Sequence, residues 1–141
     1  MNPKTHLLNK KLKAYTLTEI LVVLCIIGIL VLLALPNLMP LITKAKTTEA
    51  KLQLAHVQEL EKNYFYEHSK YSKDLTEIGF IQEPLSTDSK DGRANYRIDI
   101  TDATNTTFTA TATAVVDFNA NGTFNVWQIN QDKTLKEVTP D

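Results

Sequence analysis

Cysteine is nearly missing from this 141-residue chain, and glycine is scarce: there is one cysteine, Cys25, and four glycines. A single thiol rules out an intramolecular disulfide. Its place inside an apolar run makes Cys25 a small packing residue. Glycine is absent between Gly28 and Gly79, and proline enters that interval only at Pro36 and Pro40. Charge is absent from Ile20 to Thr43, a run of 24 residues. Beyond residue 14 cationic charge is in deficit, with 11 basic and 16 acidic side chains and a net charge of −5. Phosphate binding needs a positive surface, so this acidic body argues against nucleic acid as the main partner. The chain has no G-x-S-x-G, no HExxH and no phosphate loop. No nucleophile, base and orienting group converge in it, which excludes the common enzyme classes.

The uncharged run dominates what is present. As a helix rising about 1.5 Å per residue it spans roughly 36 Å, enough to cross a hydrocarbon core. Lys10, Lys11 and Lys13 flank its start. By the positive-inside rule the N-terminus stays cytoplasmic and the remainder goes out. A cleaved secretory signal fits poorly, because no small-x-small site follows the apolar region. Beyond Lys44, the residues Ala50, Leu54, Val57, Leu60 and Tyr64 recur at three- and four-residue spacing, one face of a helix. Lys46, Lys51, Glu59, Glu61, Lys62 and Glu67 are assigned to other faces. The two runs together predict one helix from Thr16 to His68, bent or loosened near the prolines.

Past Ser69 the pattern changes. The stretch 71–80 reads as irregular, with at most one further helical turn, and 86–93 as turn-rich. Strands are predicted at Tyr96–Ile100, Thr106–Val116 and Thr123–Ile129. Asn121-Gly122 is the strongest hairpin signal. The fold class is therefore α+β: a long N-terminal helix, its first half transmembrane, packed on a small antiparallel sheet of three or four strands.

The border of the apolar run reads Lys13-Ala14-Tyr15-Thr16-Leu17-Thr18-Glu19 and runs on through Gly28 to Pro36. This segment closely resembles the N-terminal signature of type IV pilins and the related pseudopilins of type II secretion. That signature has a short basic leader, a small residue before a cut, an aromatic, Thr-Leu, a glutamate at the fifth mature place, a midway glycine and a proline at the twenty-second. Ala14 stands for the usual glycine, Tyr15 for phenylalanine, and Thr18 for isoleucine or valine. The resemblance implies a pilin fold with a leader at 1–14, a filament-core half at 15–43 and an extracytoplasmic domain at 44–141. It implies that a prepilin peptidase cuts between Ala14 and Tyr15 and methylates Tyr15. It also implies that Glu19 attracts a neighbour's terminal amine, and that Gly28 and Pro36 serve helix packing. The implied partners are other pilin-like subunits in a filament and an inner-membrane assembly platform.

Many Gram-negative pilins close their C-terminal region with a disulfide, which this chain cannot form. That points toward a type II secretion pseudopilin, with a type IV pilus subunit for adhesion, motility or DNA uptake as the alternative. A simple membrane-anchored binding module is the third reading. No cofactor is expected except at Asp117, Asn119 and Asn121. With Gly122 these match the first half of a calcium loop, but Gln128 stands where the bidentate glutamate belongs. The same residues also make turns. His56 and His68, twelve apart without a carboxylate cage, read as surface or structural residues. Asn105-Thr106-Thr107 and Asn121-Gly122-Thr123 fit the weak glycosylation sequon.

Overall fold

The computed structural model describes residues 15–141. The predicted leader at 1–14, with Ala14 and its cleavage site, lies outside them. The described residues divide into two units, with the boundary between Asn37 and Leu38.

One helix, α1, runs over Leu17–His68. The sequence predicts this helix to within a residue, because neither glycine nor charge interrupts its first half and a regular apolar face carries its second. Pro36 and Pro40 both lie inside it. Each lacks an N–H and leaves a carbonyl one turn back without its helical donor. Asn37 Nδ2 donates to the carbonyl of Leu33 at 3.3 Å, adding a side-chain bond at this point of the ladder.

In the second unit, residues 50–64 of α1 lie on a four-stranded sheet. The strands are β1 (Tyr96–Ala103), β2 (Phe108–Ala114), β3 (Val126–Asn130) and β4 (Lys136–Thr139). Their order is β1-β2-β3-β4, every neighbour antiparallel. Alternation along β1 and β2 sorts the two faces. Phe108, Ala110, Ala112 and Ala114 of β2 are buried, while Thr109, Thr111 and Thr113 point the other way and are half-buried. Tyr96, Ile98 and Ile100 of β1 and Ile129 of β3 join them against Ala50, Leu54 and Val57 of α1. Leu60 and Tyr64 pack at the margin of this core, so the predicted apolar face of the helix is the one that faces the sheet. The alanines of β2 present small side chains to the shared core.

Two expectations need correction. Glu61, assigned to an outer face, is fully buried. It lies seven residues after Leu54 and four after Val57, which places it in the middle of the apolar stripe. Asn121-Gly122 does not form a two-residue hairpin, because β2 and β3 are joined by the whole stretch 115–125. Local side-chain bonds hold that stretch, as described below. The sheet has four strands, within the three or four expected; β4 is a four-residue edge strand whose polar Lys-Glu-Val-Thr sequence carries little strand signal.

The linker at 69–95 contributes Ile78, Phe80 and Leu85 to the buried set. It covers the free edge of β1 with a side chain. Gln82 Nε2 donates to the carbonyl of Tyr96 at 3.2 Å, and the amide of Ile98 donates to Gln82 Oε1 at 2.9 Å. One glutamine thus stands in for a missing strand and blunts an edge open to pairing. Nearby, Leu85 bridges Ala94, and Gly92 passes so close that a Cβ there would lie 2.0 Å from the carbonyl oxygen of Leu85. Both sides of that clash are backbone. Gly92→Ala is therefore expected to cost about 1–3 kcal/mol of stability by overpacking. Chemical denaturation of the purified full chain checks this; an unchanged midpoint would mean that the 85–94 turn is not held as described.

Candidate assembly site

The first turn of α1 is built from Thr16-Leu17-Thr18-Glu19. Glu19 Oε2 accepts the Thr16 amide at 2.7 Å and the Thr16 hydroxyl at 3.0 Å. The Glu19 amide donates back to Thr16 Oγ1 at 3.3 Å. This is a reciprocal capping box, which satisfies donors that a helix start leaves unpaired. The sequence pattern T-x-x-E is its usual signal. Glu19 therefore has a structural task inside its own chain, which reading it only as a partner for another subunit misses. Both side-chain bonds fall on Oε2.

The surface beyond this cap is apolar and bare. Tyr15 is 80% exposed, and the large apolar side chains from Ile20 to Leu35 are 46–71% exposed. A Cβ added at Gly28 would meet nothing within 4 Å. Among the described residues nothing requires glycine at that position. Cys25 is free and exposed on the same run. By length and composition, α1 is able to cross a membrane.

The second unit has polar seams between helix and sheet. Glu49 takes the Asn95 amide on one oxygen and Asn95 Nδ2 on the other, both at 2.8 Å. Tyr96 Oη donates to Asn125 Oδ1 at 2.8 Å, and Asn125 Nδ2 donates to Glu137 Oε1 at 2.7 Å and to the carbonyl of Thr139 at 3.0 Å. Burial, with Glu49, Asp141 and Glu137 nearby, pushes the Tyr96 hydroxyl well above the usual tyrosine range. Lys46 and Lys51 cover the rings of Phe118 and Trp127, with Nζ 4.5 and 4.3 Å from the centroids. These lysines close the edge of the core with their charged ends over aromatic faces.

The loop at 117–123 is a chain of local bonds. Asp117 accepts the amides of Asn119 and Gly122, Asn119 accepts that of Asn121, and Asn121 accepts that of Thr123. The Gly122 amide, at 2.7 Å, is the main reason that the Asp117 carboxyl lies below its ordinary range. Gly122 has φ +86°, a conformation that glycine adopts freely. Asp117, Asn119 and Asn121 are thus brought together, but Gln128 lies in β3, opposite Thr111 and Lys136, and does not close the loop. Among the described residues no group of three or more His, Cys, Asp or Glu side chains is placed to hold a metal. The two histidines are apart: His68 stacks on Tyr64 at 4.1 Å, while His56 lies 6.0 Å from the Phe80 ring.

A long helix with a bare apolar surface, followed by a compact unit in which its amphipathic part packs on an antiparallel sheet, is the architecture of a pilin. A family model described as type IV minor pilin ComP, DNA uptake sequence receptor, matches residues 36–124, well over half of the chain. The chain belongs to this family of type IV pilins. It is 34% identical over 90 residues to the type IV major pilin protein PilA of Myxococcus xanthus (strain DK1622), a match covering 64% of this chain and 38% of that protein. It is 29% identical over 83 residues to the type IV major pilin protein PilE1 of Neisseria gonorrhoeae, covering 59% of this chain and 50% of the relative. The chain thus spans half or less of the length of the curated relatives it matches. These relatives are named as pilus proteins, so the lean toward a secretion pseudopilin finds no support among them.

Glu61 is the residue of the second unit that sequence reasoning placed wrongly. Burial pushes its carboxyl up from 4.5 to about 7, against a smaller opposing effect of the Ser72 amide. Between those two values the native state holds a proton that the unfolded chain has lost. The stability that Glu61 contributes is therefore fully present below pH 4.5 and lost as pH rises through about 7. At about 1.4 kcal/mol per unit the loss is about 3 kcal/mol. Glu61→Gln should abolish that slope in denaturant melts taken across the window. A wild-type stability that does not fall there would contradict the burial of this carboxylate.

Proposed function

We propose that the chain is a structural subunit of a type IV pilus, held in the inner membrane as a precursor and assembled through its apolar helix into a filament. The observation that carries the reading is the helix itself. Its large side chains from Ile20 to Leu35 are about half exposed and must be covered by lipid or by other copies. In this proposal a prepilin peptidase cuts between Ala14 and Tyr15 and methylates Tyr15. Other pilin subunits and an inner-membrane platform are the partners, and the sheet domain is displayed outside the cytoplasm. Gly28 is the point where a neighbouring helix comes closest, a role supported by the open space around it. Pro36 gives the helix freedom to adjust on packing.

Family resemblance and the position of Glu19 support its pairing with the terminal amine of an adjacent Tyr15. Oε2 serves the cap on Thr16, so Oε1 is the oxygen that meets the neighbour. The role is structural and no catalysis is proposed. DNA uptake enters only through the description of the matching family. A net charge of −5 over residues 15–141 is unfavourable for a phosphate-binding surface, so we keep to the filament role. Calcium at Asp117, Asn119 and Asn121 stays secondary, because these side chains are already occupied by their own backbone.

Glu19→Ala tests the reading. Insertion and processing should persist, since the basic leader and apolar run are unchanged. Filament assembly should fall sharply, because an unpaired buried amine costs about 3–5 kcal/mol. Glu19→Gln separates the two tasks: it keeps a capping acceptor for Thr16 but removes the charge. Sheared filaments from cells making each variant alone are the readout. Wild-type assembly by both variants would return Glu19 to a purely capping role.

A further inference from the structure

Glu61 is tied to a segment distant in sequence. Its Oε2 accepts the backbone amide of Ser72 at 3.1 Å, joining α1 to the linker that follows it. Its other oxygen, Oε1, is buried without a hydrogen-bond partner. Among the described residues no ion pair involves Glu61; the ion pair formed is Arg97–Asp88, elsewhere on the surface. The titratable groups that act on this site are neutral or acidic. From α1 comes Tyr64, and from the linker Tyr71, both of which feel the Glu61 charge. Glu77 takes the Ser72 hydroxyl at 2.5 Å and the Tyr64 hydroxyl at 3.4 Å. From the β3–β4 turn, Asp132 acts on Tyr71. Ser72 therefore stands between two carboxylates, its amide on Glu61 and its hydroxyl on Glu77.

We propose that Glu61 is a proton-operated latch: carrying its proton, it holds the start of the linker on α1, and on losing the proton it lets that segment loosen. A neutral carboxyl group accepts the Ser72 amide at little desolvation cost. The ionised group must stay buried with one hydrogen bond, no ion-pair partner and a second carboxylate beside the same serine. Burial holds the Glu61 carboxyl near 7, so the latch responds to modest pH changes around neutrality. The consequence reaches the sheet. The same linker carries Ile78 and Phe80 into the core and Gln82 onto the edge of β1, so loosening it uncovers Tyr96 O and Ile98 N. The latch lies wholly within the second unit and does not depend on the filament reading.

Hydrogen exchange of the full-length protein in detergent micelles tests the latch, with intrinsic rates corrected for pH. Between about pH 6 and about pH 8.5, protection of residues 71–80 should fall by roughly 10-fold, tracking the ionised fraction. Glu61→Gln keeps an acceptor for Ser72 but cannot ionise, and its protection should change by less than about twofold. Glu77→Gln should keep the wild-type transition. Protection that is flat or rises with pH in the wild type, or the same fall in Glu61→Gln, would overturn the proposal. So would loss of the transition in Glu77→Gln, which would assign it to the other carboxylate. If Glu61→Gln does not fold, carboxyl-carbon NMR of the wild type decides: a Glu61 midpoint near 7 supports the latch, and one near 4.5 ends it.

Discussion

Water cannot remain the neighbour of the apolar side chains on the first half of α1. Thirteen large aliphatic residues lie between Ile20 and Leu35, each about half exposed in the single chain. At about 25 cal/mol per Å² of buried apolar surface, covering them is worth on the order of 10 kcal/mol. Lipid and protein are nearly equal covers for such a surface, because acyl tails are as apolar as leucine. A helix that leaves a bilayer for a bundle of its own kind therefore gains little from hydrophobicity. The balance is tipped by close packing, by hydrogen bonds and by the few charges at the border. That is why Gly28, which offers an approach for a neighbour, and Glu19, the one carboxylate at the start of the run, carry the assembly proposal.

The second half of α1 meets the opposite condition. There the helix finds its cover within the chain: Ala50, Leu54 and Val57 share a core with the alanines of β2 and with Tyr96 and Phe108. The polar seams show how a small unit manages backbone and charge at its margins. Gln82 caps one sheet edge, Asn125 joins Tyr96 to Glu137 and to the β4 backbone, and two lysines lie over aromatic rings. Glu61 departs from this thrift, as a carboxylate inside the apolar stripe with only half its bonding capacity used. A buried acid of this kind is destabilising when charged, which makes the linker that it holds sensitive to pH.

Strong, regular patterns made much of this legible from residues alone. A charge-free run of 24 residues cannot be mistaken, and the three- and four-residue spacing of Ala50, Leu54 and Val57 points to the buried face. The alternation of Tyr96, Ile98 and Ile100 defines β1 in the same way. What escaped depended on non-local partners or on bonds that override a local preference. Glu61 falls on the buried face by position, but a charge invites placement outside. Asn121-Gly122 favours a tight turn until Asp117 takes the Gly122 amide and draws the residues into a wider loop. β4 exists because β3 offers an edge, and its own four residues say little. The T-x-x-E cap was legible and lay hidden behind the more prominent role that family resemblance gives to Glu19.

The central claim is that the Ile20–Leu35 surface is covered by other copies of the chain once it leaves the membrane. Cys25, the only thiol, sits within that surface and is exposed in the single chain, so it serves as a direct reporter. Filaments sheared from cells and freed of membrane should protect Cys25 from a water-soluble maleimide, and dissociation in denaturant should make it fully reactive. Recovery of the protein only in the membrane fraction, or equal labelling before and after dissociation, would contradict the account.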